Sequence, residues 1–363
     1  MPDSDVVVEN NVKSKRPSGS AFKQQRLPAW QPMLTAGTVL PSFFIIGIAF
    51  IPVGIALLLF SNSVSEHVID YTECNSVDQP GIKCANIVFN NTTTAEAKTC
   101  KCRINFTLDK DFIGDVYMYY GLTNFYQNHR RYVKSRDDDQ LLGKLSETDV
   151  SSDCDPFSKT SDGRPIAPCG AIANSLFNDT LSITWMDETG GKSVPLVKTG
   201  IAWPSDKEIK FRNPDNLTEA LKKFAPPIAW STSLDKLDLE DPNNNGFQNE
   251  DLIVWMRTAA LPNFRKLYRK INKTESYFAD GLHKGNYTLD IDYRYPVTAF
   301  DGRKQMILST TSLIGGKNPF LGIAYIVVGC VCLVLGVILL IIHIKYAKNT
   351  TEMINVNPRT SYT

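Results

Sequence analysis

Asp241-Pro-Asn243-Asn-Asn245-Gly246 opens like a calcium-binding EF-hand loop, with side-chain oxygens at the first, third and fifth positions and a turn glycine at the sixth. The twelfth position is Leu252, where a bidentate Glu must close the coordination shell, and Glu250 and Asp251 are out of register. A turn held by Asx hydrogen bonds is the better reading. Lys198-Thr199-Gly200 matches the middle of an Asp-Lys-Thr-Gly-Thr phosphorylation loop, but Val197 stands where the aspartyl phosphate must form and Ile201 where the last Thr belongs. Gly315-Gly316-Lys317-Asn318 lacks the glycine spacing and the terminal Ser/Thr of a phosphate-binding loop. There is no Gly-x-Ser-x-Gly and no His-Glu-x-x-His. His67, His129 and His283 have no ligand spacing, so zinc is the weaker use of the cysteines around them. No catalytic residue, metal site or cofactor is predicted.

Cysteine chemistry is the exception. Eight cysteines occur, six of them in the hydrophilic middle of the chain, which suits an oxidising compartment. Cys74, Cys84, Cys100 and Cys102 share one stretch, while Cys154 and Cys169 form a separate local pair. Neighbours two apart rarely reach disulfide geometry with each other. Local pairing therefore leaves Cys74–Cys102 with Cys84–Cys100, or the crossed alternative. A Cys154–Cys169 bridge would contribute about 3 kcal/mol in the chain-entropy account.

Two uncharged runs must hold this domain at a membrane. From Met33 to Phe60 there is no Asp, Glu, Lys or Arg, and Phe320 to Ile344 is interrupted only by His343. Both exceed the length needed to cross about 30 Å of hydrocarbon. A cleaved leader is the rival for the first run, since Ser61-Asn62-Ser63 imitates a cleavage site, but the apolar region is too long for one. Lys13, Lys15, Arg16, Lys23 and Arg26 precede the first span and no Lys or Arg follows it up to Ile82, which places the N-terminus in the cytosol. The layout read is a cytosolic tail 1–32, a span 33–60, an exoplasmic domain 61–318, a second span 319–344 and a cytosolic tail 345–363. Sequons at Asn90, Asn91, Asn105, Asn178, Asn216, Asn272 and Asn286 agree with an exoplasmic middle, and Asn349 would stay bare. Gly322, Gly329 and Gly336 recur every seven residues, making one small-residue stripe for helix packing, with a shorter version at Gly47 and Gly54. Pro41 and Pro52 would kink the first span. Cys330 and Cys332 read as inert packing residues.

Lys+Arg number 39 against 38 Asp+Glu, a net +1 that offers no basic field for nucleic acid. Leu289, Ile291, Tyr293 and Tyr295 alternate with Asp290, Asp292 and Arg294, the period of a half-buried strand. Val116 to Tyr120 and Ile209 to Phe211 also read as strands. Phe264, Leu267, Tyr268 and Ile271 recur at helical spacing after Pro262 and predict an amphipathic helix. Arg130, Arg131, Lys134 and Arg136, followed by Asp137, Asp138 and Asp139, read as a solvated charged hairpin, with headgroup contact as the alternative. The fold class expected is an integral membrane protein in which two transmembrane helices flank a large, β-rich, disulfide-pinned domain with long loops and few helices.

Several longer blocks carry a resemblance. Phe22-Lys-Gln-Gln-Arg-Leu-Pro-Ala-Trp30-Gln-Pro, Asn124-Phe-Tyr-Gln-Asn-His-Arg-Arg-Tyr132 and Pro165-Ile-Ala-Pro-Cys169-Gly-Ala-Ile-Ala-Asn174 are similar to those of the Cdc-fifty family. Lys210-Phe-Arg-Asn-Pro214, Val254-Trp-Met-Arg-Thr-Ala-Ala-Leu-Pro262 and Gly316-Lys-Asn-Pro-Phe-Leu-Gly-Ile-Ala-Tyr325 fit as well, so the resemblance runs from Ala21 to about Tyr346. It implies an accessory β subunit whose partner, a type-IV P-type ATPase, hydrolyses ATP and moves aminophospholipids to the cytosolic leaflet. This chain would be needed for folding, export from the endoplasmic reticulum and activity of that partner. The resemblance also implies a β-sandwich-like ectodomain, the nested pairs Cys74–Cys102 and Cys84–Cys100 with Cys154–Cys169, and glycans at Asn105 and Asn178. A further family sequon falls on Asp290, with Asn286 as a nearby replacement. Partner contacts are expected from Lys23, Arg26 and Trp30 and from the stripe Gly322, Gly329 and Gly336. Membrane phospholipids are the second partner class, and the endoplasmic reticulum, Golgi, secretory vesicles and plasma membrane are the expected locations. Without the resemblance, a cell-surface receptor or adhesion protein, or an ectoenzyme, would remain open.

Overall fold

The computed structural model describes residues 19–27, 35–90, 99–187 and 190–346. Two helices, Ala36–Ser63 and Pro319–Tyr346, are long and apolar enough to cross a membrane. At 28 residues each they run about 42 Å at about 1.5 Å per residue, longer than about 30 Å of hydrocarbon. Pro41 and Pro52 sit inside the first helix. The chain divides into two compact units, residues 1–54 with 324–363, and residues 55–323.

The second unit is β-rich. Its strands are β1 (Glu66–Asp70), β2 (Cys100–Leu108), β3 (Phe112–Ile113), β4 (Val116–Leu122), β5 (Thr180–Asp187), β6 (Gly190–Ser193), β7 (Leu196–Val197), β8 (Phe264–Ile271), β9 (Gly281–Leu282), β10 (Gly285–Tyr293) and β11 (Lys304–Thr310). Five of them form a sheet in the order β1-β11-β4-β8-β7, four form β2-β10-β5-β6, and β3 pairs with β9. All these pairings are antiparallel. One buried cluster draws Met118, Tyr120 and Met306 from the first sheet and Ile183, Leu289 and Tyr293 from the second, the shared core of a sandwich. Entry and exit strands are neighbours: beside the β1–β11 ladder the Thr310 N–H donates to the Ser65 carbonyl and the Ser65 N–H to Thr310 Oγ1, and the Asn318 N–H donates to Ser61 Oγ at 3.0 Å.

Strand β10 alternates as its sequence predicts, with Tyr287, Leu289, Ile291 and Tyr293 buried and Asp290 and Asp292 turned outward. The cysteines form the nested pairs Cys74–Cys102 and Cys84–Cys100, together with Cys154–Cys169.

Three expectations are corrected. Phe264–Ile271 is strand β8, not a helix. Tyr119 pairs with Leu267 and Met118 with Arg269, so Tyr268 is an extra residue at a bulge. That extra residue breaks the period of two, and it gave the apolar positions their helical spacing. Ile209 to Phe211 is not a strand either: Asp206–Lys210 makes one turn of π-helix, closed by the Phe211 N–H on the Asp206 carbonyl. The charged run is solvated at Arg130, Arg131, Lys134, Asp138 and Asp139, but it forms two short helices, Arg130–Lys134 and Asp138–Leu141, in place of a hairpin. Between them the buried Asp137 carboxylate accepts from the N–H groups of Asp139, Gln140 and Ser151.

Candidate partner-binding and modification sites

Small residues decide how the spans pack. Along both helices the positions closed to solvent include Gly47, Gly54, Gly322, Gly329 and Gly336, while their flanks are open. A Cβ added at Gly47 would lie 2.5 Å from Leu333 Cγ and 3.0 Å from the Gly329 carbonyl oxygen. One at Gly329 would meet Ile51 Cγ1 at 2.8 Å, and one at Gly336 would meet Phe44 Cζ at 3.3 Å. The Phe50 and Tyr325 rings meet beside this contact, tilted by 34° with centroids 4.9 Å apart. The stripe expected to face a partner is thus turned at Gly329 and Gly336 toward the first span, because hydrogen-only side chains let two backbones approach closely. The opposite faces present Ile45, Ile48, Val331, Val334 and Ile341 to whatever surrounds them.

The N-terminal candidates Lys23 and Arg26 sit on and just after a single turn, Ala21 to Gln25, closed by the Arg26 N–H on the Ala21 carbonyl at 2.8 Å, with Phe22 and Leu27 exposed beside them. Trp30, Asn91 and Asn349 lie outside the described residues, and of Asn90 only the backbone, at the end of the helix Cys84–Asn90, is described.

Four of the remaining sequons are exposed at Asn105, Asn178, Asn216 and Asn286, and Asn272 is half-buried. Asn216 caps the helix Leu217–Leu221, accepting from the Glu219 N–H, and Asn272 accepts from the N–H and hydroxyl of Thr274. Register brings two sequons face to face: Asn105 opposes Thr288 and Thr107 opposes Asn286. Each threonine hydroxyl donates to the other sequon's carboxamide oxygen, Thr107 to Asn286 at 2.8 Å and Thr288 to Asn105 at 3.1 Å. Both amide nitrogens stay clear of these bonds, on the outer face of the second sheet. Asp290 instead pairs with Arg103 across the same strands.

The ectodomain blocks that carry the family resemblance converge in space. Gln127 Oε1 accepts from the Ala259 N–H and Asn128 donates to the Ala260 carbonyl, tying 124–132 to 254–262. Trp255, fully buried, donates its indole N–H to the Ile172 carbonyl at 2.7 Å, and Gln140 receives the Cys169 N–H. Arg257 reaches the buried Asp206 carboxylate, joining 254–262 to the turn before 210–214. Around that turn opens a cavity of about 710 Å3 lined by Ile209, Phe211, Met256 and Arg257, with Trp203 exposed close by and Arg257 over its ring. Arg136, Lys210 and Arg257 at this cavity are already paired with Asp138 and Asp206.

Four buried charged residues carry no motif in the sequence: Lys304, Asp179, Lys266 and Glu250. Lys304, at the start of β11, places its ammonium 2.6 Å from Asp179 Oδ2, just ahead of β5; neither side chain is exposed at all. Burial pulls the Lys304 amine down to about 8, and Asp179 opposes that fall. Lys266 has no carboxylate: its ammonium caps the helix Glu250–Met256 through the carbonyls of Val254, Trp255 and Arg257, and burial lowers it to about 7. Glu250 accepts from the N–H groups of Ile201 and Ala202 and from Lys207. Burial pushes its carboxyl upward, but the Ala202 N–H and Lys207 more than offset this and leave it below its ordinary value. An intervening aspartate in a sequon and a lysine in an apolar alternation were the available signals for Asp179 and Lys266.

The calcium-like segment is a turn: Asp241 Oδ1 accepts from Asn243 and Asn245 Oδ1 accepts from Asp238 and Gly246, whose φ is +69°. Among the described residues, one trio of possible metal ligands lies close together, the sulfurs of Cys74, Cys84 and Cys102, and all three are in disulfides.

The model of the LEM3 (ligand-effect modulator 3) family / CDC50 family matches residues 57–349. Cell cycle control protein 50A of Mus musculus is 55% identical over 351 residues, covering 94% of this chain and 93% of that protein. Cell cycle control protein 50B of Homo sapiens is 48% identical, covering 91% and 94% of the two chains. ALA-interacting subunit 3 of Arabidopsis thaliana is 42% identical over 91% of this chain and 87% of its own length. With two helices long and apolar enough to span a membrane around a three-disulfide β domain, a family model over residues 57–349 and relatives matched over about nine-tenths of the chain, the chain belongs to the LEM3/CDC50 family.

Proposed function

We propose that this chain is a non-catalytic accessory subunit of a phospholipid flippase, pairing with a type-IV P-type ATPase that moves aminophospholipids from the outer to the cytosolic leaflet. The observation that carries the reading is the match over nearly the whole chain to a relative named as an interacting subunit. The architecture supports it. Two helices that pack on each other through glycine have their outer apolar faces free for a larger membrane protein, and the domain between them is braced by disulfides and buried charge pairs. Both termini are cytosolic, residues 1–32 and 345–363 are tails, and the glycosylated domain 61–318 faces the lumen or the exterior. Asn105, Asn178 and Asn286 are the favoured glycan sites, since all three are exposed. The convergent surface around Trp203, Ile209 and the 710 Å3 cavity is the candidate docking face of the ectodomain. Lys23 and Arg26 offer charge to acidic cytosolic surfaces of the pump, and the complex works in the endoplasmic reticulum, Golgi, secretory vesicles and plasma membrane.

Purification of the tagged chain in mild detergent tests this. An ATPase of type-IV sequence should co-elute at equal stoichiometry, and the pump should stay in the endoplasmic reticulum when this chain is depleted. Stable surface expression of the chain alone, with no such protein bound, would favour a receptor or adhesion protein.

A further inference from the structure

Asn178 stands between the helix Ala171–Asn174 and β5, and the buried Asp179 beside it turns into the core while Asn178 and Thr180 turn out. Unlike the Asn105 and Asn286 pair on an open sheet face, Asn178 lines a cleft of about 340 Å3. That is at the lower end of the sizes that hold a small molecule, about 300 to 1,000 Å3.

The walls of the cleft are of two kinds. Trp230 forms one side, with its indole N–H held on the Ala173 carbonyl at 2.8 Å and the neighbouring Ala229 N–H on Asn174 Oδ1 at 3.0 Å. The ring is therefore fixed and half-buried before anything binds. Asp251 and Arg269 form the other side as a two-bond fork at 2.6 and 3.1 Å, with the Arg269 side chain 12% and the Asp251 side chain 37% exposed. Ser231 and Thr232 put hydroxyls on the rim. A fixed aromatic face beside a carboxylate, a guanidinium and hydroxyls suits a sugar, whose ring carries an apolar C–H face and a girdle of hydroxyl and acetamide groups. A freely diffusing monosaccharide would lose translational entropy on entering so small a site, whereas a sugar already bonded to Asn178 has lost it.

We infer that the cleft seats the first N-acetylglucosamine of the chain's own Asn178 glycan, so that this sugar is an internal packing element of the domain. The inference rests on the reading that Asn178 is glycosylated. It gives Asn178 a role different from Asn105: the sugar bridges the loop around Trp230 to β8 and the helix Glu250–Met256, which hold Arg269 and Asp251.

The test is the rate at which peptide N-glycosidase F releases each glycan from the folded full-length chain, followed site by site through the Asn-to-Asp conversion in mass spectrometry. The Asn178 glycan should leave on the order of tenfold more slowly than the Asn105 glycan, because its first sugar must come out of the cleft before cleavage. Trp230→Ala should speed release at Asn178 and leave the Asn105 rate alone. Thr232→Arg, which fills the cleft from an exposed position without disturbing the core, should do the same. Unmodified Asn178 in the purified chain would overturn the glycosylation reading itself. A glycan present at Asn178 that is released as fast as that at Asn105, or whose release neither variant changes, would overturn the seating alone.

Discussion

Replacing Lys304 by Met keeps the length of the side chain and removes only its charge, and the structure sets the cost. Asp179 would lose the ammonium at 2.6 Å but keep the N–H groups of Arg294 and Tyr295 at 2.6 and 2.7 Å and the Tyr71 hydroxyl at 3.1 Å. Breaking a buried pair by removing one partner costs about 3–5 kcal/mol. Three surviving donors put Lys304→Met near the lower end, about 3 kcal/mol. Asp179→Asn should cost more. It leaves the Lys304 ammonium with the Tyr295 carbonyl at 2.7 Å and the Tyr293 ring, and it sets an amide beside donors that need an acceptor. That substitution also keeps the Asn178-x-Thr180 sequon, so loss of the glycan does not confuse the result. For a domain of this size about 3 kcal/mol corresponds to a fall of about 6–12 °C in the unfolding midpoint, measured by intrinsic fluorescence of the purified chain in detergent. Combining both substitutions should cost less than their sum, with a coupling of about 1–3 kcal/mol. A midpoint within about 2 °C of the unaltered protein for Lys304→Met, or additive losses, would refute the claim that this pair ties β11 to β5.

Lys266 sets a pH dependence. Its folded value, about 7, lies below the unfolded value of about 10.4. The folded state therefore binds fewer protons between these values: the cost of burying the charge is fully present below about pH 7 and is relieved as pH rises toward about 10. The slope of stability against pH in that window should be steeper for the unaltered protein than for Lys266→Met, as read by denaturant unfolding. Gly329→Leu would drive a side chain into Ile51 and the Gly47 backbone. Cysteines introduced at the facing pair Phe44 and Gly336 should cross-link readily, and the rate should fall sharply in the Gly329→Leu background. Non-reducing peptide mapping should return the three intramolecular bridges, and Cys154→Ser with Cys169→Ser should lower stability by about 3 kcal/mol.

Much of this was legible before the fold was known. Uncharged length alone gave both spans, and the strict alternation of β10 gave a strand whose inward residues build the core. What failed did so for local reasons. A bulge at Tyr268 converted a strand's period into a helix's, and an inward-facing lysine, Lys266, disguised the buried side of β8. Asp137 looked like one more surface charge because its three N–H donors come from the backbone, one of them from as far along the chain as Ser151. Choice between nested and crossed disulfides needs the three-dimensional approach of Cys74 to Cys102, which spacing does not supply. The glycine stripe was legible as a packing surface but not in its direction: facing another helix of the same chain or of a different one requires the same residue type. Separate sequence blocks could not reveal that Gln127 meets Ala259 and that Trp255 meets Ile172, since those bonds run through a backbone amide and a backbone carbonyl.

Reconstitution into liposomes tests the accessory-subunit account most directly. This chain, its ATPase and the complex are incorporated separately, and labelled phosphatidylserine movement and ATP hydrolysis are followed together. The account expects both activities in the complex, little in the ATPase alone and none in this chain alone, with Lys23→Glu and Arg26→Glu lowering the complex's activity at constant yield. Lipid movement or ATP turnover by this chain alone, or full activity of the ATPase without it, would contradict the account.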